Sequence, residues 1–161
     1  MSDEDPQASL AAALGKLPSG LFILTYGPGR TGSARLVSWV QQCSFEPPLV
    51  TIALNRSKIP PELQQAAAPF VLNQLGAGHT RLLSHFGKGF AAEEPCFQGI
   101  DVFDAASGPA ILEMAVAYLE CQLAERVAAG DHDLLIARVI SGDIRSEDSP
   151  YVHIRKSGLR Y

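Results

Sequence analysis

Apolar residues in this chain come in short runs broken by glycine and proline, a pattern of many brief elements rather than a few long helices. Residues 8–17 are rich in alanine and leucine and predict a short helix, stopped by Pro18-Ser19-Gly20. Gly20 to Tyr26 reads as a compact apolar strand, followed by the turn-rich loop Gly27-Pro28-Gly29-Arg30-Thr31-Gly32. From Ala34 to Phe45, Leu36, Val37, Trp39 and Val40 mix with Ser38, Gln41, Gln42 and Ser44. Pro47-Pro48 then excludes helix at Glu46, because a residue before proline is pushed to extended geometry. Leu49 to Leu54 predicts a strand, and Ile59-Pro60-Pro61-Glu62 opens a helix running to Ala68. Pro69 to Leu75 predicts a strand, His79 to Phe86 a short helix, and Gly87 to Gly108 shows no period.

The stretch from Ala110 to Ala129 fits two patterns. As a helix it stacks Ile111, Ala115, Tyr118, Leu119 and Leu123 on one face, with Gly130 as the stop. As a strand it alternates through Ala117, Leu119, Cys121, Leu123 and Val127, with Glu125 the exception. Local propensity favours helix, whereas Gly130-Asp131-His132-Asp133 and the run Leu134 to Ile140 would complete a hairpin. Periodicity leaves both open.

Composition narrows the class. A chain of 161 residues with 47% hydrophobic content is one domain with a real core, which excludes a disordered chain. Residues 1–8 read as a flexible acidic tail and 9–161 as the domain. The charged share, 19%, falls below the roughly 25% of soluble domains, so a ligand or another subunit is expected to cover part of the surface. Thirteen basic and 17 acidic residues, with no basic cluster, argue against nucleic acid as a partner. The longest apolar runs are far shorter than the ~20 residues of a membrane span, and the acidic opening Met1-Ser2-Asp3-Glu4-Asp5-Pro6 is unlike a secretory signal. No membrane association and a cytoplasmic location are therefore expected. Cys43, Cys96 and Cys121 lack CxxC spacing and read as buried small hydrophobes. His79 and His85 lie off the i, i+4 spacing of a zinc pair and read as helix surface, so no metal site is expected. There is no GxSxG, no GxGxxG after a strand and no GxxxxGK[ST], so a hydrolase elbow, a Rossmann unit and a P-loop all lack support.

Three segments together resemble the flavin reductase family: Ser38-Trp39-Val40-Gln41-Gln42-Cys43-Ser44-Phe45-Glu46-Pro47-Pro48-Leu49-Val50, the turn Gly130-Asp131-His132-Asp133, and the tail Pro150-Tyr151-Val152-His153 through Gly158-Leu159-Arg160-Tyr161. The resemblance implies a mainly β chain, a six-stranded Greek-key split β-barrel with a few short helices. It decides the 110–129 segment in favour of strand and hairpin, and makes the tail a closing strand. It also implies a homodimer that binds FMN, with FAD as the variant, near the subunit interface.

The resemblance further implies roles for particular residues. Val37, Ser38, Trp39, Gln42, Cys43 and Ser44 would line the flavin ring and ribityl chain. Leu36-Val37 stands where the family often has threonine and a small residue, which removes a side-chain hydroxyl there. Arg56, Ser57 and Lys58 follow a strand and can form a phosphate nest, where the family makes its phosphate contacts. His132 would lie near the flavin and the nicotinamide as the catalytic candidate, and His85-Phe86 and Tyr161 would approach the site. The expected activity is hydride transfer from NAD(P)H, a transient donor, to the flavin, then to a monooxygenase or other acceptor. The alternative is an electron-transfer flavoprotein whose FMN is reduced by a partner protein. A third reading is a non-redox ligand-binding protein on the same fold.

Overall fold

The computed structural model describes residues 5–160. Helix α1 (Pro6–Gly15) starts where Asp5 accepts a hydrogen bond from the Gln7 N–H and Pro6 sits in the first turn. Of the expected tail, residues 1–4 lie outside the described residues and 6–8 open α1. The strands are β1 (Phe22–Tyr26), β2 (Ser33–Val37), β3 (Val40–Ser44), β4 (Leu49–Asn55), β5 (Pro69–Gln74), β6 (Val102–Asp104), β7 (Ala110–Leu112), β8 (Ala117–Ala129) and β9 (His132–Ile144), with helix α2 at Thr80–Gly87.

The strands of one antiparallel sheet run β2-β1-β5-β8-β9-β4-β3, and β6-β7 form a separate pair. The chain is mainly β with two helices, as expected, but the count of six strands is corrected to seven in the main sheet. No ladder among the described residues closes that sheet into a barrel. Its outer strands β2 and β3 are joined only through Ser38-Trp39, where the chain bends and the run Ala34 to Phe45 divides in two. The sheet nonetheless curls around one core, since Leu24, Val37, Ile52, Phe70, Cys121 and Leu135 from six different strands pack in a single cluster. A second cluster, with Ile23, Leu82, Phe86, Phe97 and Leu112, covers the other face of β1. Burial on both faces explains why β1 reads as a continuous apolar run.

The ambiguous segment is strand. β8 pairs with β5 over residues 117–122 and with β9 along its length, so its backbone groups are satisfied across strands rather than within a helix. A register shift between Leu123 and Glu125 coincides with the one break in alternation, leaving Leu123 buried and Glu125 exposed. Gly130, at φ +64, takes the first turn position between the paired Ala129 and His132.

Three sequence expectations give way. The helix expected from Ile59 is only a 3-10 turn at Pro61–Gln64, as Pro60 and Pro61 remove two donors and Ala67 takes φ 60. Among the described residues the tail forms no strand; it makes isolated bridges, His153 with Ser19 ahead of β1 and Pro150 with Gly76 after β5. Its Gly158 lies against α1, where a Cβ would collide with Leu14. Cys43 is exposed rather than buried, because β3 is an edge strand, while Cys96 and Cys121 are buried. No helix among the described residues is long and apolar enough to cross a membrane.

Candidate functional site

The junction between β2 and β3 separates two spaces. On one side a cavity of about 430 Å³ is lined by Leu36, Val37, Ser38, Asn55, Lys58, Phe86 and Phe90. On the other a wider cleft of about 930 Å³ is lined by Ser38, Trp39, Val40, Gln41, Leu134, Tyr151 and Arg155, among others. Ser38 and Ala53 border both. A third space, about 320 Å³, continues from the first past Tyr26, Arg35 and Phe90, and Ser57 and Lys58 line it. All three volumes fall in or near the range of small-molecule sites.

Pairing register explains how distant residues meet here. Asn55 at the end of β4 pairs with His132 at the start of β9, and Ala53 pairs with Leu134. The Ala53 N–H donates to the Trp39 carbonyl at 3.0 Å, which brings the β2–β3 bend against the same corner. Trp39 therefore packs on His132, ring centroids 4.9 Å apart and planes at 41°. The Arg155 guanidinium lies over the Trp39 ring at 4.7 Å. His132 Nδ1 is 2.7 Å from Asp131 Oδ1, while Nε2 is buried with no hydrogen-bond partner. The hydrogen bond from His132 holds the Asp131 carboxyl below its ordinary range.

Arg56 makes contacts that its sequence context does not show. Its Nε donates to Asp133 Oδ1 at 2.8 Å and its Nη2 to the Gly130 carbonyl at 2.9 Å. Arg126 grips the other carboxylate oxygen of Asp133. Hydrogen bonds from Arg56 and then Arg126 hold that buried carboxyl below the usual value. Arg56 thus clamps the hairpin that presents His132. Ser57 Oγ donates to Asn55 Oδ1 at 2.7 Å, which shapes the loop and leaves Lys58 as its cationic contribution to the two smaller cavities.

Val37, Ser38, Trp39, Ser57 and Lys58 line these spaces, whereas His132 lines none of them and packs on Trp39 instead; of β3, only Val40 and Gln41 reach the wider cleft. Gln42, Cys43 and Ser44 border none of them, because β3 slips register against β4 between Gln42 and Ser44 and runs along the exposed edge. His85 is a correction to helix surface: Nε2 lies 2.7 Å from the Cys96 carbonyl and the ring packs on Phe86 and Phe90. His79 Nδ1 accepts the Gly76 N–H. Tyr161 lies outside the described residues. Arg35 and Phe90 were not among the sequence candidates; Phe90 falls in the aperiodic stretch, where no local pattern marks it.

Comparison with known proteins agrees with this architecture. Diflavin flavoprotein A 1 of Synechocystis sp. is 37% identical over 156 residues, which is 96% of this chain and 27% of that protein. The chain spans little more than a quarter of the length of the curated relatives it matches. Among solved structures, the NADH:FAD oxidoreductase SgcE6 of Streptomyces globisporus superposes with a TM-score of 0.80 at 23% identity, over 91% of this chain and 86% of that one. The flavin reductase HpaC, solved with NADP+, gives 0.75 at 25% identity over 89% and 90%. The family profile described as flavin reductase like domain matches residues 14–159. With nine-tenths of its length so matched, the chain belongs to the flavin reductase-like domain family.

Proposed function

We propose that this chain binds a flavin, FMN in preference to FAD, and acts as an NAD(P)H-dependent flavin reductase that hands electrons to a separate acceptor. The observation that carries this reading is the pair of ligand-sized spaces that meet at Ser38 and Ala53, a narrower one beside Lys58 and a wider one beside Trp39. The residues present fit a flavin. Val37, Leu36, Phe86 and Phe90 supply apolar wall, Asn55 and Ser38 supply polar groups, and Lys58 supplies the cation that a phosphate needs. When bound, the flavin supplies the hydride-accepting chemistry.

The protein's own residues do the remaining work. Lys58 holds the phosphate end, and the Arg56–Asp133–Arg126 clamp keeps the hairpin turn rigid. Trp39 and Arg155 form one wall of the wider cleft, where a transient nicotinamide donor would enter. The unpartnered His132 Nε2 beside that wall is the polar group best placed to contact such a ligand. Exposed Phe45, Leu17, Val152 and Ile154 support a homodimer that covers this side of the molecule, which sedimentation would register as twice the chain mass.

The test is a visible spectrum of the purified protein followed by anaerobic addition of NADH or NADPH. Flavin absorbance that bleaches supports the reading, and a colourless protein that cannot be reconstituted with FMN ends it. A second reading is favoured by the diflavin relatives, about three and a half times as long as this chain: bound flavin that exchanges electrons with another flavin-bearing protein. Flavin that bleaches only with a partner protein would select it. Nucleic acid has no part in either reading.

A further inference from the structure

A flavin phosphate held at Lys58 stands at an opening between two spaces. Lys58 and Arg35 line both of the smaller cavities, and Arg35 Nη1 donates to the Lys58 carbonyl, which ties the two cations to one edge. The wider cleft has neither residue in its walls, so a ligand that continues beyond this phosphate runs into the third space. There the charge changes sign. Among the described residues, the charged lining of the first cavity is Arg35 and Lys58, whereas the third space adds the carboxylates of Glu62 and Glu94 and no further cation. Glu62 stands in the first turn of the 3-10 helix Pro61–Gln64, and Glu94 Oε2 accepts the Ala91 N–H at 3.1 Å. The Ser57 hydroxyl, the nearby donor that could offset them, is spent on Asn55.

We infer that Glu62 and Glu94 determine which flavin the protein accepts, by repelling the second phosphate of a flavin dinucleotide. The inference rests on the flavin reading above and names what makes it FMN rather than FAD. FMN ends in a phosphate monoester, which carries about two negative charges near neutral pH and meets the two cations at the opening. FAD carries one charge on each of two phosphates, and its second phosphate and adenosine would lie beside the two carboxylates. Both carboxylates are exposed, so water screens the repulsion and its effect is modest. Repulsion of this kind discriminates without altering any contact made by the accepted ligand.

The experiment titrates apoprotein with FMN and with FAD, in wild type, Glu62→Gln, Glu94→Gln and the double variant, and reads the ratio of the two dissociation constants. Glutamine keeps the side-chain size and, at position 94, the acceptor for the Ala91 N–H. The double variant should narrow the preference for FMN by roughly threefold to tenfold at low ionic strength, each single variant supplying part, and the narrowing should fade as salt is raised. Glu46→Gln changes the net charge equally at an exposed carboxylate that lines none of the three spaces, and should leave the ratio alone. A ratio that the double variant leaves unchanged, or that Glu46→Gln narrows as much, overturns the inference while the flavin reading stands. So does a wild type that binds FAD as tightly as FMN. Wild type that binds neither flavin overturns the flavin reading and this inference with it.

Discussion

Arg56 and Lys58 are two residues apart, both exposed and both cationic, yet the structure predicts that they fail differently when removed. Lys58 lines both of the smaller cavities, so Lys58→Ala should remove a cation from the bound phosphate. A charge-assisted hydrogen bond contributes about 1.5–3 kcal/mol, and exposure to solvent reduces this toward 1–1.5 kcal/mol. The expected loss is therefore roughly fivefold to tenfold in FMN affinity. Arg56 spends its guanidinium on Asp133 and the Gly130 carbonyl, so Arg56→Ala should lower the denaturation midpoint and leave phosphate recognition largely intact. Titration of apoprotein with FMN, followed by flavin fluorescence at low and raised ionic strength, separates the two. Affinity should fall with salt in wild type and in Arg56→Ala, but the dependence should be shallower in Lys58→Ala. Equal losses of affinity in both variants, with unchanged denaturation midpoints, would refute the assignment.

Other outcomes follow from groups outside the cavities. Asn73 is fully buried, donates to Ile23 O and Thr25 Oγ1, and accepts the Leu112 N–H at 2.8 Å; Asn73→Ala should cost about 2–4 kcal/mol in urea unfolding, and a loss under 1 kcal/mol would contradict the role of this network. The carboxyl of Asp133 is held below its ordinary value of 3.8, so its stabilising contribution is complete above that pH and is lost as pH falls through the lower folded value. Acid unfolding of Asp133→Asn should accordingly lack that part of the low-pH slope, and identical slopes would remove Asp133 as a cause. Thiol titration of native protein should count one fast cysteine, Cys43, since Cys96 and Cys121 are buried and burial pushes Cys121 up to about 12. A fast phase that survives Cys43→Ser would overturn this.

Much of the candidate site was legible in the linear chain because it is local. Ser38-Trp39, the loop after the Leu49–Leu54 strand and the Gly130-Asp131-His132 turn each carry their chemistry within a few residues. What local pattern missed was direction. Gln42, Cys43 and Ser44 stand in one run with Ser38 and Trp39, and a bend and a register slip turn β3 along the sheet edge. Arg56 read as an anion contact because its partner Asp133 lies 77 positions away.

The sequence by itself determined that apolar runs would be short, that glycine and proline would punctuate them, and that Gly20 to Tyr26 would be a compact apolar strand. It also contained both solutions for residues 110–129. Periodicity could not choose between them; the resemblance favoured strand, and the tertiary structure supplies the reason, because a strand there satisfies its backbone against β5 and β9, partners that a helix-favouring local propensity cannot register. The same pairing sets Asn55 opposite His132 and draws the Trp39 bend onto it. Long-range register, rather than any residue's own preference, made a site of these three segments.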